Sequence, residues 1–208
     1  MRLLIIILFF PLLFACKKKV KEAGHIQLEA AVYHDPTGDL YNSDLMTISD
    51  LYFIGDTFLE EIPFYNDSLG IPQYAYIKSG NFGQGNSLQE AFNSSSVKPI
   101  NEKKFGAIFS PPAVPGYDSR EPLPDTAFNG YHYKRMKIVN DSSYSVFYIH
   151  QTDTLIPFSL APQVDKDYKG WLNRIDTYDK TNNRFISLRM SVTDTIPKSF
   201  YEILIHKK

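Results

Sequence analysis

Residues 185–192 admit one regular structure. Ile186, Leu188, Met190 and Val192 alternate with Phe185, Ser187, Arg189 and Ser191, and a period of two puts the first set on one face of a strand and the second on the other. One buried face and one wet face are what an antiparallel sheet asks of its strands. Other stretches of similar length read the same way: 26–33, 45–54, 58–65, 74–78, 133–139, 144–150, 154–160, 171–178 and 200–206. Turn chemistry separates several of them. Gly55-Asp56 lies between 45–54 and 58–65 and predicts a hairpin, and Asn140-Asp141-Ser142-Ser143 and Asp179 to Asn183 mark further reversals.

Helical signals are sparse. Ser87-Leu88-Gln89-Glu90 has the form of a capping box and predicts a short helix over 88–93. Residues 110–126 hold five of the thirteen prolines (Pro111, Pro112, Pro115, Pro122 and Pro124) and read as a semi-rigid loop, a seam between two halves of one domain. The expected fold class is mainly β: an antiparallel meander forming an open barrel or a two-sheet sandwich, with at most short helices. Fourteen Tyr, fifteen Phe and one Trp supply the large side chains such sheets bury.

The amino-terminal segment belongs to a different plan. After Met1 and Arg2, residues 3–14 are apolar apart from Pro11. As a helix they reach about 18 Å, short of the roughly 30 Å hydrocarbon core, so the run reads as a secretory signal peptide over 1–15 and not as a span. Leu13-Phe14-Ala15-Cys16 resembles the lipobox of bacterial lipoproteins. The resemblance implies cleavage before Cys16, a diacylglyceryl group on its sulfur and acylation of the new amino terminus. Lys17 stands where the aspartate of an inner-membrane retention signal would be, which implies the outer membrane as destination. Cys16 is the only cysteine, so neither a disulfide nor a cysteine-based zinc site is expected. The lysines at 17, 18, 19 and 21 read as a basic tether spanning 16–25, ahead of a β domain at 26–208.

Charge and motifs then narrow the chemistry. Twenty-two basic and 23 acidic residues leave no field to attract nucleic acid. Removing 1–15 takes away Arg2 alone among the charged residues, so the mature chain carries a net charge of −2. The loop from Gly80 to Asn86 lacks both phosphate-binding patterns and reads as flexible, and no nucleophile elbow or zincin motif occurs.

Five histidines occur, at 25, 34, 132, 150 and 206. An even turn at 140–143 sets Val139 opposite Tyr144 and His150 opposite Tyr133, with His132 on the other sheet face; only an odd turn would juxtapose the two imidazoles. The acidic turn around His34, Asp35, Asp39 and Asp44 lacks calcium-loop spacing. Glu60-Glu61, Glu121 with Asp125, and Asp165 with Asp167 are candidate carboxylate pairs for glycoside hydrolysis. Tyr168, Trp171 and Tyr178 are candidates for a stacking platform.

No catalytic, cofactor-binding or metal-binding residue is assigned. The expected function is a lipid-anchored envelope protein that binds an apolar or glycan ligand, or a partner protein. The alternative is a lipid-anchored hydrolase of glycan or peptide.

Overall fold

The computed structural model describes residues 19–33, 43–66 and 71–205. Cys16, the leader before it, His34, Asp35, Asp39 and His206 lie outside them. In chain order the elements are β1 (Lys19–Val20), β2 (Ala23–Tyr33), β3 (Ser43–Ile54), β4 (Thr57–Asn66), β5 (Ile71–Lys78), β6 (Asn81–Gly85), α1 (Leu88–Phe92) and β7 (Lys98–Pro99). They continue with β8 (Glu121–Phe128), β9 (Tyr131–Val139), β10 (Ser143–Gln151), β11 (Thr154–Leu155), α2 (Pro162–Tyr168), β12 (Gly170–Asp179), β13 (Arg184–Thr193) and α3 (Lys198–Ile205).

Eleven of the strands form one antiparallel sheet in the order β7-β6-β5-β4-β3-β2-β13-β12-β10-β9-β8. Two meanders meet in its middle. The first runs outward from β2 to β7, the second inward from β8 to β13, and β2 pairs with β13. The sheet therefore ends in two edges, β7 and β8, and does not close into a barrel. The connection between the edges crosses beneath one face. Ile100 and Phe109 pack against a core centred on Leu28, Leu51, Phe53 and Phe58. Val114 and Tyr117, further along, pack against a second core of Met136, Phe147, Ile149 and Leu172. On the opposite face α3 inserts Phe200 and Leu204 beside Leu59.

The register follows local chemistry where the turns are short. Val139 faces Tyr144 and His150 faces Tyr133 across the turn between β9 and β10. Gly55, at φ +62°, joins β3 to β4. Asn129 and Gly130 both adopt positive φ, at 51° and 78°, the pattern of a type I′ turn that matches strand twist.

Several elements depart from the sequence reading. The proline-rich loop stops at Arg120, because Glu121–Phe128 is strand β8 despite Pro122 and Pro124. It lies at a sheet edge with a register break between Leu123 and Thr126, where missing donors cost no ladder bond. Residues 81–85 form β6 and not a flexible loop: Gly83 and Gly85 let α1 approach, since a Cβ on either would come within 3 Å of α1 backbone. Residues 200–206, read as a strand, fall mostly in α3, whose buried Phe200 and Leu204 stand one turn apart. Of 154–160 only Thr154–Leu155 is strand.

The face expected to be wet on β13 is so only at its end: Ser191 is exposed, but Ser187 is wholly buried, and Asp176 and Tyr33 beside it are buried too. Arg174 and Arg189 stand half-buried on that face. Arg189 donates to the Tyr33 hydroxyl at 3.0 Å and to Ser187 Oγ at 3.2 Å, while Arg174 donates to Asp176 at 2.6 Å and lies 5.2 Å from the Tyr148 ring centre.

Candidate functional site

The sheet forks between β12 and β13. Their pairing covers only Arg174 to Asp179 against Arg189 to Arg184. Before it, Gly170, Trp171 and Leu172 pair with Gln151, His150 and Ile149 of β10. Beyond it, residues 190–193 pair with β2 down to Thr193 opposite His25. A register break between Tyr148 and Ile149 leaves Asn173 without a partner on β10. The extra residue bends β12 away from β13, and the Asn173 amide donates to the Met190 carbonyl across the split. A pocket of about 560 Å³ opens there.

One wall is aromatic. His150 and Trp171, directly opposite on β10 and β12, meet edge to face with ring centres 5.0 Å apart. Tyr131 approaches the imidazole the same way at 5.1 Å. The Tyr133 and Phe128 rings stack at 4.1 Å and 10°. The other wall is polar, with Glu29, Asn173, Arg174 and Arg189. Lys21, Thr152 and Thr154 stand at the rim.

Two wall residues each carry a buried nitrogen with no hydrogen-bond partner: His150 Nδ1 and Trp171 Nε1. Burial lowers the His150 pKa from its ordinary value, with the His132 backbone partly opposing it, so the ring is neutral at pH 7. A neutral imidazole has one donating and one accepting nitrogen, whereas indole can only donate. Burial works against the Arg174 charge, but the hydrogen bond and charge of Asp176 outweigh it and raise the pKa overall. Tyr133 is raised mainly by burial.

The platform candidates separate. Trp171 lines the pocket. Tyr168 packs on the second core, on the other side of the sheet, and its carbonyl accepts from Gln151. Tyr178 lies near the far end of β12, its hydroxyl on Asn183 at 2.8 Å. No three-ring platform forms.

The candidate acids are held apart by other partners. Neighbours Glu60 and Glu61 point to opposite faces: Glu60 is fully buried against Lys103, while Glu61 accepts from Tyr74 at 3.4 Å. Glu121 pairs with Lys137 and Asp125 with Lys134. Asp165 bonds Ser159 and the Leu172 amide, whereas Asp167 pairs with Arg120. The His132 side chain is exposed on β9, and only its backbone bonds the His150 ring. Among the described residues no three His, Cys, Asp or Glu side chains converge as a metal site, and no helix is long and apolar enough to cross a membrane.

Phe128, Tyr131, Tyr133, Arg174 and Arg189 escaped the sequence reading. One signal was present: Asn129-Gly130 between Phe128 and Tyr131 demands a tight hairpin and sets those two rings opposite each other.

No protein family and no curated protein matches the chain. Among solved structures, PNGF-II in space group C2 is similar over 89% of this chain and 30% of its own, at 8% identity and a TM-score of 0.33. This chain thus spans 30% of the PNGF-II chain. A DUF1329 family protein from Desulfovibrio piger is similar over 84% of this chain and 86% of its own, at 10% identity and a TM-score of 0.28.

Proposed function

We propose that this chain is an envelope protein, anchored to the outer membrane by a lipidated Cys16, whose β domain binds a saccharide in the pocket at the sheet fork. The lipobox resemblance of residues 13–16 supports the anchor. The saccharide reading rests on one observation, the cross-strand pair of His150 and Trp171 with its two unpartnered buried nitrogens. Each such group costs about 1–3 kcal/mol while it stays unsatisfied. A hydroxyl, which both donates and accepts, satisfies either one. Aromatic rings beside such groups suit the apolar faces of a sugar, and Arg189 and Asn173 add fixed donors on the facing wall.

For a glycan substrate, the hydrolase alternative needs two carboxyl groups about 5 to 9.5 Å apart across the ligand. Among the described residues Glu29 is the only acid lining the pocket, so binding is favoured over hydrolysis.

Trp171 is the only tryptophan of the chain, which makes intrinsic fluorescence a reporter of this one site. Titration with a panel of neutral and acidic oligosaccharides is expected to shift Trp171 emission saturably for at least one of them. A flat response to the whole panel, with no heat of binding by calorimetry, refutes the saccharide reading. The anchor is tested separately: Cys16→Ala is expected to abolish labelling by radioactive fatty acid and release the protein from membranes.

A further inference from the structure

We infer that the pocket opens toward the anchoring membrane and takes the sugar headgroup of a lipid embedded there in preference to a free glycan; this rests on both the anchor and the saccharide readings above. The geometry of the chain just after Cys16 carries the inference. β1 pairs in parallel with β11, Lys19 opposite Thr154 and Val20 opposite Leu155. The amides of Lys19 and Lys21 donate to the carbonyls of Asp153 and Leu155, at 3.2 and 2.9 Å. Thr154 and Ile156, from the same segment, line the pocket, and so does Lys21, whose ammonium pairs with Asp194 just past β13. The Glu22 carbonyl then accepts from Gly55 at 2.7 Å. The start of the domain is thus fastened beside the pocket rim from 19 to 21, and to the turn between β3 and β4 at 22, not left as a free spacer.

Covalent reach does the rest. Cys16 precedes Lys19 by three residues, which span at most roughly 11 Å, and Lys21 by five, at most roughly 18 Å. An acylated Cys16 must sit at the bilayer interface, whose polar layer is itself about 5–7 Å deep on each side. The rim at Lys21 therefore cannot stand far from the headgroups. A second, independent feature marks the same end of the molecule. Val20, Leu155 and Tyr131 are among the exposed large apolar side chains, at 56%, 41% and 55%, and all three stand on β1, β11 or the pocket wall. Apolar groups beside lysines, with a tyrosine among them, suit an interface between lipid and water. Sharing one bilayer with its ligand turns each encounter into one of high effective concentration.

The test uses the acylated full-length protein in phosphatidylethanolamine–phosphatidylglycerol vesicles, with a spin-labelled headgroup lipid to quench Trp171. A variant with a Gly-Ser spacer of about 20 residues inserted between Lys18 and Lys19 serves as comparison. Trp171 is expected to be quenched in the native protein and at least about twofold less in the spacer variant, whose rim is free to leave the surface. Vesicle-borne lipopolysaccharide is expected to bind about tenfold or more tighter than its released oligosaccharide. An unquenched Trp171, or equal quenching with and without the spacer, overturns the membrane-facing orientation. Equal affinity for free and bilayer-borne sugar overturns the lipid-borne ligand while leaving the saccharide reading intact. If neither form binds, the saccharide reading falls and this inference with it.

Discussion

Glu60 and Lys103 form an ion pair at 2.7 Å in which both side chains are completely shielded from solvent. The second carboxylate oxygen accepts from Ser49 Oγ at 2.7 Å and from the Ala107 amide at 2.6 Å, and the ammonium donates to the carbonyls of Phe105 and Ala107. Strand β4 thereby holds the segment that carries the chain from one sheet edge toward the other. Gly106 shows how closely that segment approaches: at φ +68° it passes so near that a Cβ would stand 2.1 Å from Glu60 Oε1.

Removing one partner leaves a buried charge alone. Lys103→Met is expected to cost about 3–5 kcal/mol in urea unfolding, because it leaves the fully buried Glu60 carboxylate without its counter-charge. The double variant Glu60→Gln with Lys103→Met is expected to recover much of that loss, since its buried groups are neutral and the amide can still accept from Ser49 and Ala107. Equal instability of the single and double variants would show that the lost stability came from packing and not from the uncompensated carboxylate.

That pair marks a boundary of what residue order reveals. The hairpin at Gly55-Asp56 and the Ser87 cap that accepts from Glu90 at 3.2 Å depend on residues a few positions apart, and the partnership of His150 with Tyr133 on the length of one short turn, so local chemistry specifies them. Strand β8 was hidden because its prolines are tolerated only at an edge, and an edge is defined by the whole sheet. Helix α3 was hidden because a short apolar run fits either period until packing selects one. The fork was least legible. It needs β13 to find β2, a partner more than 150 residues away in the chain for every pair, and a bulge at Asn173 that nothing in the run Gly170 to Asp176 announces. Trp171 was therefore identifiable as a candidate, but its true neighbours were not.

Asp165 ties α2 to β12 through Ser159 and the Leu172 amide, one residue from Trp171. Burial raises its pKa above the ordinary carboxylate value, and these two hydrogen bonds only partly offset the effect. The folded state thus holds this proton more tightly than the unfolded chain does, so between about pH 4 and the raised folded value stability falls as pH rises. Asp165→Asn removes the titration, and its amide oxygen can still accept from Leu172. The variant is expected to be as stable as the parent or more so at pH 7, with a flatter profile of unfolding free energy across that window. A steeper profile, or marked instability at pH 7, would show that the ionised carboxylate is a net stabiliser here.

The indole nitrogen of Trp171 separates stability from binding. Its N–H is buried without an acceptor, a state that costs about 1–3 kcal/mol and that a well-chosen ligand oxygen relieves. Trp171→Phe keeps an aromatic ring against His150 but deletes the donor. In the unliganded protein the penalty disappears, offsetting part of the packing lost with the smaller ring, so the melting temperature is expected to stay within a few degrees of the parent value. In the complex a hydrogen bond disappears, and affinity for the best saccharide of the panel is expected to fall about fivefold, equivalent to roughly 1 kcal/mol. Calorimetry replaces fluorescence for this variant, which has no tryptophan left. Undiminished affinity in a folded Trp171→Phe protein would mean that the ligand does not engage the indole nitrogen. Collapse of both stability and affinity would mean that Trp171 serves the fold alone, its edge-to-face contact with His150 mattering more than its unanswered N–H.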